Sequence, residues 1–126
     1  MIKVLIIEDN DDNRGILRQQ LEYLGYEVVE ASTSTEGLDQ MKKENPDLVI
    51  VDVMLAGADG REVARKIRME PKTKDVPILA STVLFQREDV RSCLDAGCND
   101  VLSKPFTLQQ LKEKLDKVSS LASKLK

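Results

Sequence analysis

Apolar residues gather in five short blocks along the chain: Lys3-Val4-Leu5-Ile6-Ile7, Tyr26-Glu27-Val28-Val29-Glu30, Leu48-Val49-Ile50-Val51-Asp52, Val76-Pro77-Ile78-Leu79-Ala80-Ser81 and Asp100-Val101-Leu102-Ser103. In the first and third the aliphatics are consecutive, which predicts strands buried on both faces. Between the blocks the spacing changes to helical. Ile16, Leu17, Leu21 and Leu24 share one face, as do Leu38 and Met41, then Val63, Ala64 and Ile67. A further helix is predicted over 86–96. A last one carries Leu108, Leu111, Leu115, Val118, Ala122 and Leu125 at alternating steps of three and four.

The polar residues punctuate this pattern. Asn10 or Asp11 caps the first helix, and Gly25 and Gly97 close two helices as C′ residues. Thr33-Ser34-Thr35-Glu36, Asp59-Gly60-Arg61-Glu62 and Thr107-Leu108-Gln109-Gln110 each have the spacing of a capping box. Asn45-Pro46 stops the second helix, Met54 to Gly60 reads as a loop with two glycines, and Glu70 to Asp75 as a polar connector. Strand and helix therefore alternate five times. The expected fold class is α/β, a parallel sheet with right-handed crossovers and helices on both faces. The stretch Ser119–Lys126 is expected to outrun the sheet as a frayed tail, a dimer seam or the stub of a linker.

With 126 residues and 41% of them apolar, the chain suits one domain with a single core. No apolar run reaches the roughly 20 residues of a membrane span, and the N-terminal run lacks the form of a signal peptide, so a cytoplasmic domain without membrane contact is expected. Histidine is absent, which excludes His-based hydrolase triads; with only Cys93 and Cys98 as thiols, it also argues against zinc. The two cysteines are expected as reduced, semi-buried thiols. A formal net charge of −3 argues against nucleic acid as a direct partner.

The chemistry lies where strands end. In a parallel sheet all carboxyl ends share one edge, and there ligands bind. That edge collects Glu8 and Asp9 after the first strand, Asp52 at the end of the third, Ser81 and Thr82 at the fourth, and Ser103 and Lys104 at the fifth. Two carboxylates 4 Å apart repel by roughly 4 kcal/mol at an effective dielectric near 20. Protonation, Lys104 or a divalent cation must offset this, and one lysine cannot balance three acids. Carboxylates, carbonyls and water suit Mg²⁺. A carboxylate beside Mg²⁺ can act as the nucleophile of phosphoryl transfer, with Thr82 and Lys104 gripping the phosphoryl oxygens.

Other phosphate-handling patterns are missing. There is no G-x-x-x-x-G-K-[ST] loop, and the turn after the first strand, Glu8-Asp9-Asn10-Asp11, would repel a pyrophosphate or flavin phosphate. Haloacid-dehalogenase phosphatases carry a second Asp two residues after the nucleophile, where this chain has Met54.

Five motifs in order, Ile6-Ile7-Glu8-Asp9-Asn10, Asp47-Leu48-Val49-Ile50-Val51-Asp52, Gly57-Ala58-Asp59-Gly60, Pro77-Ile78-Leu79-Ala80-Ser81-Thr82 and Leu102-Ser103-Lys104-Pro105-Phe106, resemble the receiver domain of two-component response regulators over residues 2–120. The resemblance implies a flavodoxin-like (βα)5 sandwich of strand order 2-1-3-4-5, with a receiver domain over 1–120 and a C-terminal tail or helix end over 121–126. It implies that Asp52 accepts a phosphoryl group from a histidine kinase or histidine phosphotransfer protein. Asp9, Asp52, the Met54 carbonyl and Glu8, directly or through water, would ligate Mg²⁺, with Mn²⁺ as a substitute. Thr82 would hydrogen-bond the phosphoryl group, Lys104 would pair with it, and the Lys104-Pro105 bond would be cis.

Three positions depart from the family pattern. Val101 stands where an aromatic usually swings inward with the threonine, so the expected switch pair is Thr82 with Val101. Ala56 stands where proline is common, and Val83, where a small residue is common, is expected to crowd the path of Thr82. Met54 and Leu84 are expected to flank the phosphoryl group and restrict attacking water. The expected output is a protein–protein contact on the face of the fourth helix, fifth strand and fifth helix, with no output domain in the chain and no enzymatic turnover beyond its own phosphorylation and dephosphorylation. A monomer or a phosphorylation-dependent homodimer is expected. The competing readings are a Mg²⁺-dependent small-molecule phosphohydrolase and a degenerate receiver acting as a constitutive interaction module.

Overall fold

The structure is a computed structural model that describes residues 2–125, with side chains through residue 120. Five parallel strands, β1 Lys3–Ile7, β2 Glu27–Ala31, β3 Leu48–Asp52, β4 Ile78–Thr82 and β5 Asp100–Ser103, form one sheet in the order β2-β1-β3-β4-β5. The helices are α1 Asp11–Tyr23, α2 Ser34–Glu44, α3 Gly60–Met69, α4 Arg87–Asp95 and α5 Leu108–Leu125. This is the parallel sheet with helices on both faces that the alternation of blocks predicts, and the flavodoxin-like sandwich and strand order that the resemblance implies.

Strand alternation divides the core in two. Leu5, Ile7, Val49, Val51, Ala80 and Val101 pack with Met41 of α2, Val63 and Ile67 of α3 and Cys93 of α4. Val4, Ile6, Ile50, Leu79 and Leu102 pack with Leu17 and Leu21 of α1 and Leu111, Leu115 and Val118 of α5. All five residues of β3 are buried, so the central strand has water on neither face. Cys93 and Cys98 are free and fully buried rather than semi-buried, and burial pushes the Cys98 thiol up to about 12. That makes it inert as a nucleophile. No helix among the described residues is long and apolar enough to cross a membrane.

The local signals hold at several caps and fail at others. Asn10 caps α1 by accepting from Asn13 N at 2.9 Å, and Asn45 closes α2 in the left-handed region at φ 48°. Thr107 and Gln110 make both bonds of a capping box, at 3.1 and 2.8 Å. At Thr33 only half the box forms: Thr33 Oγ1 accepts from Glu36 N, but Glu36 Oε1 accepts from Ser32 N. At Asp59 no box forms. Its carboxylate accepts from Arg61 N at 2.8 Å, while Glu62 turns to Arg65.

Other expectations need correction. The stretch after β3 is not a plain loop: Met54–Leu55 and Ala58–Asp59 pair as a two-residue antiparallel ladder. The second strand begins at Glu27, not Tyr26, and the fourth at Ile78, because Pro77 has no N–H to place in a ladder. Ile16 is 56% exposed rather than inward, since Leu17 and Leu21 already take the core-facing positions of α1. Helix α5 runs on to Leu125, and the expected inward positions Ala122 and Leu125 lie outside the described side chains.

One glycine fixes the distance between β3 and α3. A Cβ on Gly60 would lie 2.2 Å from the Asp52 carbonyl oxygen and 2.9 Å from Val53 Cα, and Gly60 N–H donates to Val53 O at 2.8 Å. These neighbours are backbone and have no rotamer with which to yield. Gly60→Ala is expected to cost about 2–4 kcal/mol in urea unfolding. Gly15→Ala, in a helix with nothing within 4 Å of the new Cβ, is expected to gain about 0.5–1 kcal/mol. Equal unfolding midpoints for the two variants would contradict this account.

Candidate functional site

The sheet's carboxyl edge brings three acids together. Glu8 and Asp9 follow β1, Asp52 ends β3, and each offers a carboxylate oxygen within 4.8 Å of the others. Glu8 and Asp52 are buried, at 4% and 7% exposure. Sheet register sets the rest of the edge. Asp52 lies beside Ser81, Thr82 beside Ser103, and Lys104 N–H donates to Thr82 O at 2.8 Å, which carries the lysine across the end of β4. The Lys104-Pro105 peptide is cis.

Lys104 is the one cation paired with the carboxylates of this cluster among the described residues. Its Nζ lies 3.1 Å from Glu8 Oε1 and 3.3 Å from Asp52 Oδ2. It leaves Glu8 Oε2 buried without a hydrogen-bond partner. Burial first, and then the Asp52 carboxyl, pushes Glu8 up to about 7, against the pull of Lys104. One ammonium therefore does not satisfy the charge assembled here.

Backbone donors hold the acids in place. Met54 N–H donates to Asp52 Oδ1 at 3.2 Å, and Ala56 N–H donates to Asp9 Oδ2 at 3.0 Å. The second bond exists because position 56 is not proline; the sequence signalled the substitution but not this consequence. Arg14 donates to the Glu8 carbonyl at 2.9 Å and pairs with Glu30 at 3.3 Å, tying α1 and β2 to the acidic turn.

Thr82 is buried at the end of β4 and makes no hydrogen bond with the acids; its hydroxyl oxygen accepts from Leu84 N–H at 2.9 Å. Its own proton stays free to donate. Val101 is buried in the α2–α3–α4 half of the core, and Val83 is 62% exposed. Met54 and Leu84 are partly exposed beside the site, at 54% and 38%. A groove of about 360 Å³ opens beside Lys104, between α1 and the turn into α5, with Ile16, Gln20, Val83 and Phe106 on its walls.

Sequence reasoning missed one feature near the site. Arg61, on the first turn of α3, grips Asp59 through Nε and Nη2 at 2.7–3.1 Å and donates through Nη1 to Ser92 Oγ of α4 at 2.8 Å. Only the Asp59–Arg61 half is local enough to read from sequence.

A parallel sheet of this order, with a buried acidic cluster and a lysine at its carboxyl edge, defines a receiver-type α/β domain. The chain belongs to the response regulator receiver domain family, which it matches over residues 4–116. It is 37% identical over 110 residues to response regulator MprA of Mycolicibacterium vanbaalenii, covering 87% of this chain and 47% of that one. The chain thus spans about half the length of the curated relatives it matches. Among solved structures it is similar to chemotaxis protein CheY4 of Vibrio cholerae, with TM-score 0.90, 31% identity, and 94% and 98% of the two chains covered. It is also similar to the receiver domain of sensor histidine kinase PA1611 of Pseudomonas aeruginosa, with TM-score 0.87, 30% identity and the same coverage; that structure has a magnesium ion coordinated in the active site cleft.

The double contact of Lys104 gives a stability prediction. Lys104→Met leaves two buried carboxylates without their cation and is expected to cost about 1–3 kcal/mol. Glu8→Gln keeps an acceptor and removes one negative charge, and is expected to be neutral or stabilising by up to about 1 kcal/mol. Urea unfolding in metal-free buffer measures both, and a Glu8→Gln loss as large as that of Lys104→Met would contradict the account.

Proposed function

We propose that Asp52 is the phosphoryl acceptor of this receiver and that its modification switches a protein-contact surface. The observation that carries the reading is the orphaned Glu8 Oε2 within an acidic cluster that a single lysine leaves unbalanced. Such a donor set fits Mg²⁺, and Glu8, Asp9, Asp52 and the Met54 carbonyl would hold it. Mn²⁺ fits the same oxygen donors. When bound, the cation supplies positive charge against which phosphoryl oxygens can settle.

The rest of the chemistry belongs to the chain. An Asp52 carboxylate oxygen bonds to phosphorus as the phosphorus–nitrogen bond of a phosphohistidine breaks, and the electron pair leaves on the imidazole nitrogen. Lys104, 3.3 Å from Oδ2, pairs with the incoming phosphoryl oxygens, and the free Thr82 proton donates to one of them. Hydrolysis of the acyl phosphate restores the carboxylate, so the protein alters only itself. The phosphodonor, a histidine kinase or histidine phosphotransfer protein, docks in the groove beside Lys104, where Ile16 and Phe106 offer it an apolar wall. We place this exchange in the cytoplasm.

Incubation with phosphoramidate, read by intact mass, tests the reading. One phosphoryl adduct is expected with Mg²⁺, none without it, and none in Asp52→Asn. Release of many equivalents of phosphate without an adduct would contradict the proposal. Exposed Met54 and Leu84 screen the acyl phosphate from water, so Leu84→Asn is expected to shorten its half-life several-fold. An unchanged or longer half-life would remove Leu84 from that role.

A further inference from the structure

Val101 has no polar tip and no ring to swing, so β5 offers no moving side chain through which α4 could sense Asp52. Helix α4 is lightly held: of its residues only Cys93 is fully buried. Among the described residues, one side-chain hydrogen bond or ion pair joins it to another element, and that bond is Arg61 Nη1 to Ser92 Oγ at 2.8 Å. Both ends of the bond lead somewhere.

Toward the site, Arg61 Nε and Nη2 fork onto the Asp59 carboxylate, which also accepts Arg61 N–H. The fork holds the Asp59 carboxyl below its usual range and the Arg61 guanidinium above its own. Asp59 is the ladder partner of Met54, and Met54 N–H donates to Asp52 Oδ1 at 3.2 Å. Toward the helix, Ser92 Oγ donates to Asp89 O at 2.8 Å, and Asp89 Oδ2 accepts from the N-cap amide of Gln86 at 3.1 Å. The ladder bond that flanks the Met54–Asp59 pair is Gly60 N–H to Val53 O at 2.8 Å, so ladder pairing at this one step and hydrogen bonds at the others connect the Asp52 loop to the first turn of α4.

We propose that Arg61 is a positioning residue that carries the state of Asp52 to α4 through Ser92. This rests on the reading of Asp52 as the phosphoryl acceptor. Phosphorylation moves negative charge from the carboxylate out to the phosphoryl oxygens. The Met54 amide follows that charge and draws Asp59 with it across the two-residue ladder. Arg61 is rigidly forked to Asp59, so its Nη1 shifts against Ser92, and α4 either follows or loses its polar tether. A buried valine at position 101 is compatible with this route because nothing in it passes through β5.

Amide chemical shifts of residues 86–95, recorded before and after phosphorylation with phosphoramidate and Mg²⁺, test the route, with intact mass taken on the same samples. Ser92→Ala and Arg61→Ala are expected to take the phosphoryl group to the wild-type extent while the phosphorylation-induced shifts in α4 fall to half or less. Ser92→Thr, which keeps the hydroxyl, is expected to retain them. A purely structural bond would alter the resting spectrum of the variants but leave the phosphorylation-induced change intact, and that result overturns the proposal. Wild-type response in α4 of both alanine variants overturns it as well. If the wild-type chain forms no adduct, the reading of Asp52 fails first, and the proposal with it.

Discussion

Three carboxylates forced to one sheet edge, with one ammonium between two of them, is the constraint on which the rest of this molecule depends. Lys104 Nζ reaches Glu8 at 3.1 Å and Asp52 at 3.3 Å, and no other cation pairs with the carboxylates of the cluster among the described residues. Sites of this kind cost stability, and the surrounding fold must hold them against their own repulsion. The fully buried β3 does so at Asp52. The Ala56 and Met54 amides steady Asp9 and Asp52, and Arg14 anchors the Glu8 backbone. Gly60 sets how closely α3 approaches the strand that carries Asp52.

The same crowding leaves groups at this edge that a purely structural cluster would not keep. An orphaned buried carboxylate oxygen and a threonine with a free proton are poor features for a structural ion pair. They are useful where a doubly charged group enters and leaves. The loop that steadies Asp52 also starts α3, so a movement of that loop would be passed on to the helix. The contact between α3 and α4 through Arg61 and Ser92 gives that movement somewhere to go.

Much of this was legible in the sequence. Consecutive aliphatics marked β1 and β3, and β5 falls at the predicted residues 100–103. The placement of Glu8, Asp9, Asp52 and Lys104 follows from strand ends alone, since a parallel sheet must bring its carboxyl ends to one edge. What was not legible depends on choices between equivalent partners. Asp59 has the spacing of a capping box, but the backbone N–H, Nε and Nη2 of Arg61 take its carboxylate in place of the Glu62 arrangement. Glu36 finds Ser32 N in place of Thr33 N. The Arg61–Ser92 bond joins residues 31 apart and has no local pattern at all. Ile16 fits the helical apolar stripe, yet Leu17 and Leu21 take the core-facing positions of α1 and leave it exposed.

The central claim is that Asp52, and no other carboxylate of the cluster, takes the phosphoryl group. Borohydride reduction of the phosphorylated chain converts an aspartyl phosphate to homoserine and leaves free carboxylates untouched, so peptide mass mapping reads the modified position directly. The account predicts homoserine at position 52, with Glu8 and Asp9 unchanged. A reduced residue at position 8 or 9, or an adduct that yields no homoserine at 52, would contradict it.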